Sequence, residues 1–135
     1  MYELILNIHS VLRWVLLFFL VVTIIKSLIG WLGNQPWKPV DNQLSLLTLI
    51  FTHTQLIIGL VLYFISSKVN FSDPVSDGFR FYTVEHISGM LIAIILITIG
   101  RVLAKKRSIP KAKFRVTTIF FLLGLLIMIS MIRVW

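Results

Sequence analysis

Three histidines, His9, His53 and His86, are the residues of this sequence best suited to do chemistry. Each lies in a different long apolar segment, and the interiors of these segments contain few other ionisable groups. An imidazole in hydrocarbon loses its hydration, so it needs a hydrogen-bonding group, a proton pathway or a metal as its partner. A haem or another metal centre is therefore the first hypothesis.

The segments that carry the histidines are predicted to be transmembrane helices. The 135 residues are 58% hydrophobic and their mean hydropathy is +0.95, values typical of a membrane protein. Four apolar stretches are long enough to cross a bilayer core of about 30 Å, which takes roughly 20 helical residues. They cover about residues 4–32, 44–66, 81–103 and 114–134. Backbone groups in lipid must pair within their own segment. The sequence thus predicts an all-α protein, a single transmembrane domain (1–135) that forms an up-down-up-down four-helix bundle.

The basic residues are concentrated at the first and third connections between these helices. Nine of the 13 lysines and arginines lie there: Lys26, Lys38, Arg101, Lys105, Lys106, Arg107, Lys111, Lys113 and Arg115. The positive-inside rule then places both connections in the cytoplasm and both termini outside. We interpret the net charge of +8 as a topology signal that also contacts anionic lipid, and not as a nucleic-acid site.

The absence of cysteine narrows the possible redox chemistry. It excludes disulfides, thiolate ligands, iron–sulfur clusters and covalent c-type haem attachment. The sequence also has no phosphate-binding glycine loop, no His-Glu-x-x-His motif and no nucleophile elbow. We therefore expect a redox carrier or subunit, and not a stand-alone catalyst.

The depth of each histidine in its span separates one of them from the other two. At about 1.5 Å per helical residue, His9 and His86 each lie roughly 8 Å from the centre of their spans toward the outside, whereas His53 lies near the midplane. Two axial ligands of one haem approach its iron from opposite sides, so matched depth favours His9 with His86. His53 is left as an alternative ligand, a residue that supports a ligand, or a quinone contact.

The neighbours of the two matched histidines suggest further contacts with a cofactor. Arg13 lies four residues after His9 and shares its helix face. An arginine inside a membrane span must either pair with an anion or extend its side chain to the membrane interface. The anion would be a haem propionate, Glu3 or Glu85. On the His86 side, Tyr82 and Gly89 share its face, and a glycine leaves space either for a flat macrocycle or for close helix packing.

The second span carries a line of polar and small residues on a face adjacent to His53. This line is Thr52, Gln55, Gly59 and Tyr63. It is placed to reach a quinone carbonyl, a water molecule or another helix.

Three segments resemble those of a known family. They are residues 8–14 (IHSVLRW), 51–60 (FTHTQLIIGL) and 81–90 (FYTVEHISGM). They are similar to segments of small four-helix bacterial membrane proteins of the cytochrome b type and, more loosely, to cytochrome b561 and copper-resistance D type membrane proteins. The resemblance spans almost the whole chain. It implies a non-covalent haem b with ligands among His9, His53 and His86, in the bacterial inner (plasma) membrane. Two-haem relatives need four ligands, so three histidines favour one haem.

Three functions are compatible with these observations. The first is a membrane b-type cytochrome that carries electrons through one bis-histidine haem, with quinol, quinone or another membrane redox protein as its partner. The second is a cofactor-free structural subunit of a larger membrane complex. The third is a histidine relay for metal or protons, against which stands the lack of a carboxylate deep in any span. The sequence leaves open which two histidines would bind iron, and whether the chain forms oligomers.

Overall fold

A computed structural model of the chain describes residues 1–76 and 78–132. Within this part, four helical segments are long and apolar enough to cross a membrane. The helices are α1 (Tyr2–Leu32), α2 (Pro39–Ile65), α3 (His86–Lys106) and α4 (Pro110–Ser130). A π-helical turn, Phe81–Glu85, leads directly into α3. The predicted all-α, four-helix membrane fold is confirmed.

Two helices begin four or five residues earlier than the sequence predicted, because each begins at a proline. α2 begins at Pro39 rather than near residue 44, and α4 begins at Pro110 rather than near residue 114. Proline is favourable at the first helical position, where its missing N–H has no intrahelical partner to lose. α4 ends at Ser130, and the predicted end at residue 134 lies outside the described residues.

The helices do not pack equally around the bundle. α1 packs against both α2 and α4, and α3 packs against α4, whereas α2 and α3 touch over a much smaller area. The bundle is therefore closed on three sides and loose on the fourth, between α2 and α3.

The half of the bundle next to the α1–α2 and α3–α4 connections is packed through small and hydroxyl side chains. The hydroxyl groups of Thr23 on α1 and Thr48 on α2 are 3.0 Å apart. Gly30 lies against the ring of Phe114, so that an added Cβ atom would be 2.6 Å from the ring carbons. Such small residues let membrane helices approach closely, and this half, called the closed half below, leaves little room for a ligand.

Buried charges in the closed half have partners within the protein. Asp41 is only 3% exposed, and its Oδ1 accepts a hydrogen bond of 2.7 Å from the Lys26 ammonium. Arg101 is 5% exposed, and its guanidinium donates from Nη1 to the Asn42 side-chain oxygen and the Ser45 hydroxyl, at 2.7 Å each. These bonds join α1 to α2 and α2 to α3. The buried charges of the closed half are therefore already paired within the protein, and a ligand site is to be sought in the opposite half.

Candidate functional site

A cavity of about 320 Å³ lies in the opposite half of the bundle, next to the α2–α3 connection. All four helices contribute to its wall, which is mainly apolar. Its volume is at the lower end of the range for small-molecule sites, about 300–1,000 Å³. The wall also carries polar side chains, among them His9, Arg13, Gln55, Tyr63, Lys68, Tyr82 and His86. An apolar cavity with a few convergent polar groups is the usual form of a ligand site.

Four of the six predicted site residues line this cavity: His9, Arg13, Tyr82 and His86. The predicted polar line of α2, from Thr52 to Tyr63, also faces it. His53 and Gly89 do not line the cavity. The structure thus brings together the two histidines that were matched in depth and places the third elsewhere.

His86 is held with one ring nitrogen available to a ligand. Its Nδ1 lies 2.9 Å from the backbone carbonyl oxygen of Met131. Because a carbonyl only accepts, Nδ1 carries the proton and Nε2 keeps its lone pair. Metal-ligating histidines are commonly held in this way, with the other ring N–H donated to a carbonyl or carboxylate.

His9 is positioned by two residues of α2. The side-chain amide of Gln55 donates a hydrogen bond of 2.7 Å to the His9 backbone carbonyl. Gly59 faces the His9 ring, since a Cβ atom added there would lie 3.4 Å from Cε1. The His9 Nδ1 and the Gln55 Oε1 are buried and have no hydrogen-bond partner among the described residues. Buried polar atoms are normally paired, so these two call for a ligand or a water molecule.

Arg13 adds a cation to the same wall. Its Nε is buried without an acceptor in the described part of the chain, and its guanidinium carbon lies 5.1 Å from the centre of the Trp14 ring. Glu85, one anion that the sequence suggested for it, forms an ion pair of 3.4 Å with Arg80. Lys68 also lines the cavity, whereas no aspartate or glutamate of the described residues does. The wall is therefore positively charged and suited to an anionic group.

His53 lies on an exposed face of α2, outside the cavity. Its Nε2 is 3.0 Å from the hydroxyl of Thr98 on α3. The Thr98 hydroxyl donates its proton to the Ile94 carbonyl at 2.7 Å, so it accepts from His53, and the His53 proton is on Nε2. His53 thus links α2 to α3 and does not join His9 and His86. Across residues 1–76 and 78–132, no three His, Asp or Glu side chains are grouped so that they could hold a metal ion.

Gly89 serves close helix packing, the second of the two roles suggested for it. It is buried, and an added Cβ atom would collide with the side chain of Met131. Met131 occupies the space beside Gly89, which favours helix packing over contact with a macrocycle as the role of this glycine. The sequence analysis missed Met131 as a partner of His86, since a backbone carbonyl has no residue-type signal.

Comparisons of the chain with protein-family models, with curated proteins and with solved structures found no match. The chemistry below is argued from the cavity itself. Two imidazoles, from α1 and α3, line one apolar cavity. One helical turn from the first of them lies Arg13, whose Nε has no acceptor among the described residues.

Proposed function

We propose that the protein is a membrane b-type cytochrome that carries electrons through one non-covalently bound haem b, with His9 and His86 as axial ligands. The observation that carries this proposal is the placement of two imidazoles from different helices at one apolar cavity. The proton of the His86 ring is tied to the Met131 carbonyl, which leaves its Nε2 lone pair for a ligand. The His9 Nδ1, which is buried and has no partner among the described residues, also fits metal binding.

The other residues of the wall fit the remaining parts of a haem. The Arg13 Nε is buried without an acceptor among the described residues, and the guanidinium would pair with a propionate. Apolar side chains such as Leu16, Ile94 and Met128 supply a dry surface for a flat macrocycle. With no cysteine in the chain, attachment would rest on the axial ligands and this packing alone.

A bound haem would supply one-electron oxidation and reduction, and the protein would tune it. The Met131 carbonyl holds the His86 imidazole in one orientation and raises its basicity as a ligand. The positive charge of Arg13 favours the reduced state, which is one charge less positive. The apolar lining of the wall would lower the local dielectric constant and strengthen the electrostatic effect of Arg13. Tyr82 lines the same wall.

We further infer that the cavity lies in the outer half of a bacterial inner (plasma) membrane, with both termini outside. It is next to the α2–α3 connection, whereas the strongly basic connections lie at the other end of the bundle. A quinol, a quinone or another membrane redox protein would exchange electrons with the site there.

An optical spectrum of the detergent-purified protein tests the proposal. The dithionite-reduced minus oxidised spectrum should show the Soret and α bands of a b-type haem. His9→Ala and His86→Ala should each abolish or strongly shift these bands, because each removes an axial ligand. His53→Ala is the matched control: it also removes an imidazole from a span, but one outside the cavity, and should have a smaller effect.

Two results would contradict the proposal. Loss of the bands in His53→Ala with their retention in His9→Ala would assign the ligand pair to His53 and His86. A wild-type protein that shows no bands even after addition of haem would instead favour the cofactor-free structural subunit.

A further inference from the structure

We propose that Tyr63 is a positioning residue for His86 and acts through the π-helical turn that precedes this histidine. The inference rests on the proposed function in so far as His86 is a haem ligand. Tyr63 belongs to α2 and His86 to α3, and of the four neighbouring helix pairs in the bundle this pair packs least. A specific bond between these helices therefore has a large share in fixing their relative position.

The direction of His86 is set by an irregular stretch of backbone. Residues Phe81–Glu85 form a π-helical turn, and the His86 N–H bonds to the Phe81 carbonyl, five residues back instead of four. The α-helix begins at His86 itself. A π-turn is rare, shifts the side chains that follow it around the helix axis, and often occurs at functional sites. Here the side chain immediately after the turn is a proposed ligand.

Two bonds from outside the turn converge on its central residue, Thr83, which is 4% exposed. The Tyr63 hydroxyl donates to the Thr83 backbone carbonyl at 2.7 Å. The backbone N–H of Asn70, in the α2–α3 connection, donates to the Thr83 hydroxyl oxygen at 3.0 Å. The first bond links the backbone of the turn to α2, and the second links the Thr83 side chain to the α2–α3 connection.

These bonds complete a support for His86 from two sides. On α4, the Met131 carbonyl accepts from its Nδ1. On α2, Tyr63 holds the turn from which its backbone begins. Removing the Tyr63 hydroxyl would free the turn to regain regular α-helical bonding. The side chains after the turn would then move around the helix axis, and the His86 ring would point in a different direction.

Tyr63→Phe in the full-length protein tests the inference, because it removes the hydroxyl and keeps the ring. Tyr2→Phe is the matched control: it makes the same chemical change, but its hydroxyl contacts Ser66 at 3.5 Å and not the π-turn. We expect haem to bind about tenfold more weakly to Tyr63→Phe, the lower end of the 10–100-fold loss typical for outer partners of metal ligands. The low-spin electron paramagnetic resonance signal should also shift, since it reports the orientation of the axial imidazoles.

A measurement without haem separates this inference from the proposed function. Amide hydrogen exchange at residues 83–88 should be faster in Tyr63→Phe than in Tyr2→Phe, whether or not the wild type binds haem. A wild type that fails to bind haem would overturn the proposed function, while faster exchange would still support the role of Tyr63. The inference would be overturned if Tyr63→Phe and Tyr2→Phe had the same haem affinity, the same electron paramagnetic resonance signal and the same rates of amide hydrogen exchange.

Discussion

Gly89→Ala should weaken haem binding by disturbing the carbonyl that holds His86. A Cβ atom at position 89 would lie 2.7 Å from the Met131 sulfur and closer still to its Cγ. Favourable contacts need about 3.5–4.0 Å, so Met131 must move by about 1 Å. The bond from His86 Nδ1 to the Met131 carbonyl is 2.9 Å long. The clash is at the side chain, and where the Met131 backbone takes up the movement, a shift of about 1 Å would stretch this bond beyond the distance of a good hydrogen bond. We therefore expect haem affinity to fall by about tenfold.

Gly100→Ala is the control for this prediction, because it crowds the same pair of helices in the closed half. There a Cβ atom would lie 2.6 Å from the Cβ of Phe120. Overpacking of this kind costs about 1–3 kcal/mol, so both variants should unfold more easily. Haem titration followed at the Soret band should separate them, with only Gly89→Ala binding more weakly. Equal haem affinities in the two variants would refute the link from Gly89 through Met131 to His86.

Three further predictions concern topology, the cavity charge and the closed half. A cysteine at Ser108, in the basic third connection, should be labelled only from the cytoplasmic side; labelling from outside would invert the topology. Arg13→Leu should retain haem and lower its reduction potential in a redox titration, with Arg13→Lys between the two; an unchanged potential would assign Arg13 to another partner. Arg101→Met removes two 2.7 Å bonds, to Asn42 and Ser45. It should lower the free energy of unfolding in detergent by about 1–3 kcal/mol, and an unchanged value would mean that these bonds do not hold α2 to α3.

The helices were predictable because hydropathy and charge act over many residues. The apolar stretches located all four helices within a few residues at most ends. The early starts at Pro39 and Pro110 were missed because the apolar pattern begins only after the first turn. The loose contact between α2 and α3 was also missed, since it depends on the volumes of side chains from all four helices together.

Part of the cavity wall was predictable, where it depends on side-chain type and spacing. Matched depth selected His9 and His86, and the i, i+4 spacing selected Arg13; all three line one cavity. The Met131 carbonyl and the π-turn before His86 could not be predicted, because a backbone group or a local change of helix type has no residue-type signal. For the same reason the partner that fills the space beside Gly89 appeared only in the structure.

The two halves of the bundle differ in whether their buried polar atoms have hydrogen-bond partners within the protein. This difference favours a ligand site over a purely structural role. In the closed half, Asp41 and Arg101 both bond to protein groups. In the cavity, three buried atoms lack a partner among the described residues: the His9 Nδ1, the Arg13 Nε and the Gln55 Oε1. Each such atom costs about 1–3 kcal/mol. The Thr117 hydroxyl in the closed half is also unpaired in the described residues, but a change of its χ1 rotamer is the kind of movement that brings a threonine hydroxyl to its i−4 carbonyl. The His9 Nδ1, the Arg13 Nε and the Gln55 Oε1 belong to rigid planar groups and are not paired by such a change, so a polar ligand that reaches them would offset the cost of their burial.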